Sequence, residues 1–171
     1  MMLLGDKVIL REWRESDLER LSALRNDIDL QRLLMSQARP NSVERVRQWL
    51  VERSARDDMV FFVVADGNDE AVGYIQVAAI DRFHGHGDLG ICLSQSTQGL
   101  GIAAEACQLL EQYLIDTLAL HKLTLRVLAD NSRAIAFYRK HGYRDVGVLE
   151  RHFRDGNSQH DVLLMERLLR R

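Results

Sequence analysis

The chain has 171 residues, the size of one ordinary domain. Its 46% hydrophobic content can fill a real core, while a net charge of −2 lacks the basic excess of a sequence-independent nucleic-acid binder. No apolar run approaches the ~20 residues that span a bilayer, and Met1 to Leu10 has no basic region followed by an apolar stretch, so neither a membrane segment nor a secretory leader is expected.

Lys7 to Arg11 alternates as a short strand should. Ser16 with Glu19 reads as a capping box that opens a helix to about Arg25, and a second helical stretch follows near Asp29 to Met35. Asn41 with Glu44 reads as another box, opening a helix to about Arg56 with Val43, Val46, Trp49 and Leu50 on its apolar face. The period then changes. Met59 to Ala65 and Val72 to Ile80 read as strands joined by the turn Asp66-Gly67-Asn68-Asp69. A loop, His84-Gly85-His86-Gly87, leads to a strand from Asp88 to Leu93. Helix is expected from about Gly101 to Leu118, strand from Leu123 to Leu128, and helix from Ser132 to His141 with Gly142 as its stop. Tyr143 to Phe153 and Gln159 to Leu168 form a hairpin closed at Asp155-Gly156-Asn157. With a single proline, Pro40, and no linker or repeat, residues 1–171 read as one mixed α/β (α+β) domain with a central sheet covered by helices. Cys92 and Cys107 lie in apolar segments and read as buried free thiols of a reducing cytoplasm.

The junction between the strand ending at Leu93 and the helix beginning near Gly101 is the chemically informative place. The first N–H groups of a helix have no intrahelical partner, and the helix dipole favours an anion there. Gly99 and Gly101 let a phosphate approach the backbone, and Gln98 adds a side-chain donor. A Walker loop would need Gly-Lys-Ser/Thr, and Ile102-Ala103 stands there instead. A dinucleotide site fits Gly99-Leu100-Gly101-Ile102-Ala103-Ala104 as G-x-G-x-x-A, with Asp130 as the ribose acid. That fold needs several further strand–helix units, and only one helix and a hairpin remain.

Gln98, Gly101 and Ala103 also match Gln/Arg-x-x-Gly-x-Gly/Ala, and Asn131, Ala134, Tyr138 and Gly142-Tyr143 follow at the matching distance. In these motifs the chain resembles the GNAT superfamily of N-acetyltransferases. Leu10-Arg11, Arg25-Asn26-Asp27, His121-Lys122-Leu123, and Gly156 with Asp161 resemble the branch that holds ribosomal-protein and spermidine N-acetyltransferases. The resemblance implies a mainly antiparallel sheet of about seven strands and about four helices, with central strands splayed at an acetyl-CoA site. It places Ile91, Cys92 and Leu93 along the pantetheine arm, the pyrophosphate on Gln98, Gly99, Leu100, Gly101, Ile102 and Ala103, and Asn131 on the other side. The bland alternative for Asn131 is a helix cap.

By the same resemblance Tyr138 is the general acid for the leaving thiolate, a role that suits a phenol. Its alternative is core packing beside Ala134, Ile135 and Phe137. Asp88 is the candidate base or attractor of a cationic amine, although an ordinary aspartate is a weak base at neutral pH. His84 could line the acceptor mouth. Two histidines at i, i+2, His84 and His86, with no third ligand nearby, make a poor metal site, so no metal is expected.

The resulting expectation is acetyl transfer from acetyl-CoA to a primary amine. The amine is read as a small polyamine-like molecule, a protein N-terminus or an amino sugar. Asp17, Asp27 and Asp29 lie in the region that shapes the acceptor pocket in the family. A reading from a different class is a non-catalytic acyl-CoA-binding regulatory module. A homodimer or higher homo-oligomer in the cytoplasm, with no nucleic-acid or membrane partner, completes the expectation.

Overall fold

A computed structural model describes residues 1–170. Eight strands form one sheet in the order β1-β2-β3-β4-β5-β6-β8-β7. They are β1 (Met2–Leu4), β2 (Ile9–Arg11), β3 (Val60–Ala65), β4 (Ala71–Asp81), β5 (His86–Leu93), β6 (Lys122–Leu128), β7 (Arg144–Asp155) and β8 (Ser158–Leu168). Five α-helices cover it: α1 (Leu18–Arg25), α2 (Ile28–Leu33), α3 (Val43–Ser54), α4 (Ile102–Leu118) and α5 (Ser132–Lys140). Every neighbouring pair is antiparallel except β5 and β6. The expected fold class therefore holds, with one more strand than expected, and the five helices read in chain order are one more than the resemblance implies. The extra strand, β1, is three residues pairing with β2, too short to announce itself by alternation.

The two faces of the sheet bury separate cores. On one, Ile75, Val77, Leu89, Leu123, Leu125 and Met165 pack against Ala106, Leu110 and Leu114 of α4 and Ile135 of α5. On the other, Val63, Tyr74 and Cys92 meet Leu18, Leu21 and Leu24 of α1, Leu30 of α2, and Val46 and Leu50 of α3. Strand alternation explains this division, because successive side chains of β4 and β5 point to opposite faces. The second core has an aromatic rim in which Trp49 meets Phe61 and Tyr74 edge-on.

Both expected capping boxes are corrected. Ser16 is exposed and does not start α1. Asp17 is buried instead, accepting bonds from Arg11 Nη1 and Nη2 at 2.8 and 3.0 Å and from the Arg14 backbone at 2.8 Å. The cap is thus committed to a buried ion pair that a local pattern does not reveal. The Arg11 guanidinium is only 2% exposed and also binds Asp69 at 2.6 Å. Its pKa is raised, first through the Asp17 hydrogen bond. For α3, Ser42 is the cap, accepting from the Arg45 backbone at 3.1 Å. Asn41 instead ties the preceding loop to α1 by donating to the Arg25 and Arg39 carbonyls and accepting from Asn26. Val43, expected on the apolar face, is 49% exposed. The expected loop also shortens, since His86 and Gly87 already belong to β5.

Candidate active site

β5 and β6 pair only at His86↔Lys122, Gly87↔Leu123 and Asp88↔Thr124. Beyond Asp88 the strands part: β6 continues along β8, while β5 keeps β4 on its other edge. A cavity of about 750 Å³ opens there. Its walls include Asp88 to Ser94 on one side, Gln98, Gly99 and Gly101 to Ala104 at one end, and Asn131, Ala134 and Tyr138 on the other side.

The loop before α4 is built by backbone conformation. Gly99 and Gly101 have φ of +77° and +78°, the left-handed region that glycine occupies without strain. Leu100 between them is not left-handed, so the backbone alternates in hand, and the Leu100 N–H donates to the Thr97 carbonyl at 3.3 Å. Gly101 is the N-cap of the 17-residue α4, and no side chain caps that end. The helix therefore offers its first N–H groups to whatever enters the cavity. Glu105, one turn into α4, accepts from the backbones of Asp6, Lys7 and Val8 at 2.9, 2.7 and 2.9 Å. Lys7 in turn donates through Nζ to the Leu100 carbonyl at 3.2 Å. The β1–β2 turn thus braces the loop from outside. Glu105→Ala should lower stability by about 1–3 kcal/mol, since charge-assisted bonds count for more than neutral ones and partial exposure discounts them. Chemical denaturation of the variant measures this, and an unchanged midpoint would remove the brace.

Most residues expected at the site meet in this one cavity: Asp88, Ile91, Cys92, Leu93, Gln98, Gly99, Gly101, Ile102, Ala103, Asn131 and Tyr138. Two do not. Leu100 turns outward and is 56% exposed. His84 lies off the cavity wall, hydrogen-bonded through Nδ1 to Asp81 Oδ2 at 2.8 Å. Asn131 does cap α5, accepting from the Ala134 backbone at 3.2 Å, which leaves its amide nitrogen free to donate. Gln98 accepts through Oε1 from Arg133 across the gap.

Several wall residues escaped sequence reasoning. Arg133, Phe137 and Lys140 recur at helical spacing on the α5 face that carries Tyr138, a signal visible once the helix is drawn. Leu30, Leu33, Leu34 and Met35 roof the cavity from α2 and its C-terminus, Gln76 and Ala78 come from β4, and Arg126 from β6. The acids of the N-terminal region are not on the wall. Asp17 is spent on Arg11, Asp27 caps α2 by accepting from Leu30 at 3.0 Å, and Asp29 lies exposed elsewhere. Asp88 is the sole carboxylate on the wall among the described residues, and it accepts from the Thr124 hydroxyl.

Burial dominates the proton chemistry. It raises the Tyr138 phenol well above its ordinary value, with the nearby Cys107 adding to the shift, so this residue stays protonated at neutral pH. The Cys92 thiol is pushed up to about 12, again first by burial, which removes it as a nucleophile. His141 at the end of α5 is held below its usual value by burial and by Arg167 and Lys140, and is neutral at pH 7.

A splayed strand pair, an uncapped glycine-led helix and an asparagine-capped helix bearing a tyrosine are the arrangement that the family resemblance implies. Residues 7–144 match the family model described as an acetyltransferase (GNAT) domain. The chain belongs to the GNAT family of N-acetyltransferases. Among curated proteins it is similar to the spermidine N(1)-acetyltransferase of Escherichia coli K12, 30% identical over 146 residues that span 85% of this chain and 77% of the relative. In fold it is similar to the spermidine N-acetyltransferase of Vibrio cholerae solved with CoA and spermine (TM-score 0.87, 22% identity, 96% of this chain and 97% of that one). A GNAT acetyltransferase of Bacillus anthracis matches with a TM-score of 0.83 at 20% identity, covering 98% of both chains. This GNAT chain has no helix, among the described residues, long and apolar enough to cross a membrane.

Proposed function

We propose that this GNAT enzyme uses acetyl-CoA to acetylate a primary amine that enters beside Asp88. The observation that carries the reading is the seam between β5 and β6, walled by the uncapped N-terminus of α4 at one end and by Tyr138 along one side. The residues fit the co-substrate. The Gln98–Ala104 backbone suits a pyrophosphate, with Arg133 and Lys140 as nearby cations. The free edge of β5 suits the amides of a pantetheine arm, and the Asn131 amide nitrogen is a further donor. Acetyl-CoA supplies the activated acyl group.

In this reading Asp88 receives the acceptor as its ammonium, with its carboxylate oriented by Thr124. The amine loses its proton towards solvent at the open entrance and attacks the thioester carbonyl. Tyr138, which burial keeps protonated at neutral pH, gives its phenolic proton to the departing thiolate. The retained tyrosine supports a catalyst over a non-catalytic acyl-CoA-binding module.

The two relatives named for spermidine support a polyamine acceptor. The wall supports that for one terminal ammonium only: besides Asp88 it carries apolar α2 side chains and Gln76, with Arg126 as a cation on β6. A long polycation would leave its remaining charges unmatched there. The favoured acceptor is a small amine with one ammonium at Asp88 and a neutral or apolar body, and a protein N-terminus is the second reading. Acetyl-CoA at 100-fold over its Kd should stabilise the protein by about 2.7 kcal/mol, a rise in Tm of roughly 5–10 °C for a domain of this size. NAD should give no rise; the opposite pattern would sink the reading. Thiol release with spermidine, monoamines, amino sugars and N-terminal peptides then ranks the acceptors.

A further inference from the structure

The β4–β5 hairpin brings together three side chains that the catalytic cavity does not use. Asp81 ends β4 and His86 begins β5, and the two are register partners, so their side chains share a face of the sheet. His84 projects from the turn between them. One ligand atom from each of Asp81, His84 and His86 lies within 4.8 Å of the other two. The rings of His84 and His86 are near parallel, 21° apart, with centroids at 6.2 Å. The third ligand that sequence spacing failed to supply is thus delivered across the hairpin.

The turn is shaped to hold them so. Asp81 Oδ1 accepts from the His84 backbone at 2.8 Å, and the Asp81 carbonyl accepts from Gly85 at 2.8 Å. Gly85 has φ +72°, and a Cβ there would lie 2.5 Å from His121 Nδ1, so neither its conformation nor its surroundings admit a side chain. The Gly85 carbonyl accepts from the His121 backbone at 2.8 Å, fixing the turn to the segment before β6.

We propose that Asp81, His84 and His86 form a binding site for a borderline divalent transition-metal ion of the Zn²⁺ class. Two imidazoles and one carboxylate suit Zn²⁺, Co²⁺, Ni²⁺ or Cu²⁺, whereas Mg²⁺ and Ca²⁺ prefer oxygen throughout. Bonds of about 2.0–2.1 Å at tetrahedral angles put ligand atoms about 3.3 Å apart. The Asp81–His84 pair at 2.8 Å needs only to open slightly, and His86 to close in. Three protein ligands leave a further position open to solvent or a solute. His86 shares its face of β5 with Asp88, roughly 6.5 Å along the strand. The ion would sit beside the acceptor entrance.

Tag-free protein, stripped with chelator and dialysed, is titrated calorimetrically with ZnCl₂. Saturable binding of one Zn²⁺ per chain is expected, and Mg²⁺ in excess should not displace it. His84→Ala and His86→Ala should each weaken Zn²⁺ binding by at least about 10-fold, the lower bound for losing even an outer-shell partner, while His152→Ala on β7 should not change it. Circular dichroism and the melting temperature of His86→Ala show whether the fold is kept. Absent saturable binding, equal competition by Mg²⁺, or full affinity in a folded His84→Ala/His86→Ala double variant would each overturn the site.

Discussion

Tyr138→Phe is expected to lower acetyl-transfer turnover by roughly 10²–10⁴-fold, the usual contribution of a positioned general acid. The substitution removes one oxygen and keeps the ring, whose edge-on contacts with Phe137 and Tyr143 pack α5 against the sheet. Stability and acetyl-CoA affinity should therefore stay near those of the parent, and the loss should fall on kcat with KM for acetyl-CoA little changed. The pH dependence separates this role from packing. Burial holds the phenol in its protonated form beyond the ordinary tyrosine range, so the parent should not lose activity through Tyr138 ionisation near pH 10. A variant that turns over at the parental rate would leave Tyr138 as a wall residue and return the proton to solvent.

Gly101→Val should abolish useful acetyl-CoA binding. The residue sits at φ +78° at the head of α4, where a β-branched side chain is a severe backbone outlier. The loop would have to rebuild, turning the first N–H groups of α4 away. Losing two hydrogen bonds to a charged phosphate, at about 1.5–3 kcal/mol each, corresponds to at least roughly a hundredfold in Kd. The nearest neighbour of a new Cβ is the flexible end of Lys7, at 2.9 Å, so sterics inside the protein alone would be relieved cheaply. That makes Gly101→Ala informative as well: it tests handedness with little bulk and should bind with intermediate affinity. Parental affinity in the valine variant, by calorimetry, would place the pyrophosphate elsewhere.

The sequence was most legible where its signals are local. The order of strands and helices follows from periodicity, and Gln98 to Ala103, Asn131 and Tyr138 lie in short motifs whose spacing survives folding unchanged. What it concealed depends on contacts between distant segments. Leu30, Gln76 and Arg126 belong to three segments that only the sheet assembles into one wall. Asp17 looks like an ordinary first-turn acid until Arg11 claims it. His84 is close to Asp88 in sequence, yet the turn that carries it aims it at Asp81. The same register that withdraws His84 from the cavity supplies the third member of the Asp81–His84–His86 cluster.

The early parting of β5 from β6 also bears on local opening. Backbone groups of β5 beyond Asp88 face a cavity where a strand would otherwise lie, and an extended ligand in that seam would act as a temporary ninth strand. Hydrogen exchange at Gly90, Ile91 and Leu93 reports on it directly. Amides of this stretch that point into the seam should exchange quickly in the free protein and slow sharply with acetyl-CoA, while those already bonded to β4 should change little. The co-substrate would then complete the sheet as well as occupy it, and a stretch of open strand edge would be the part that reads its ligand.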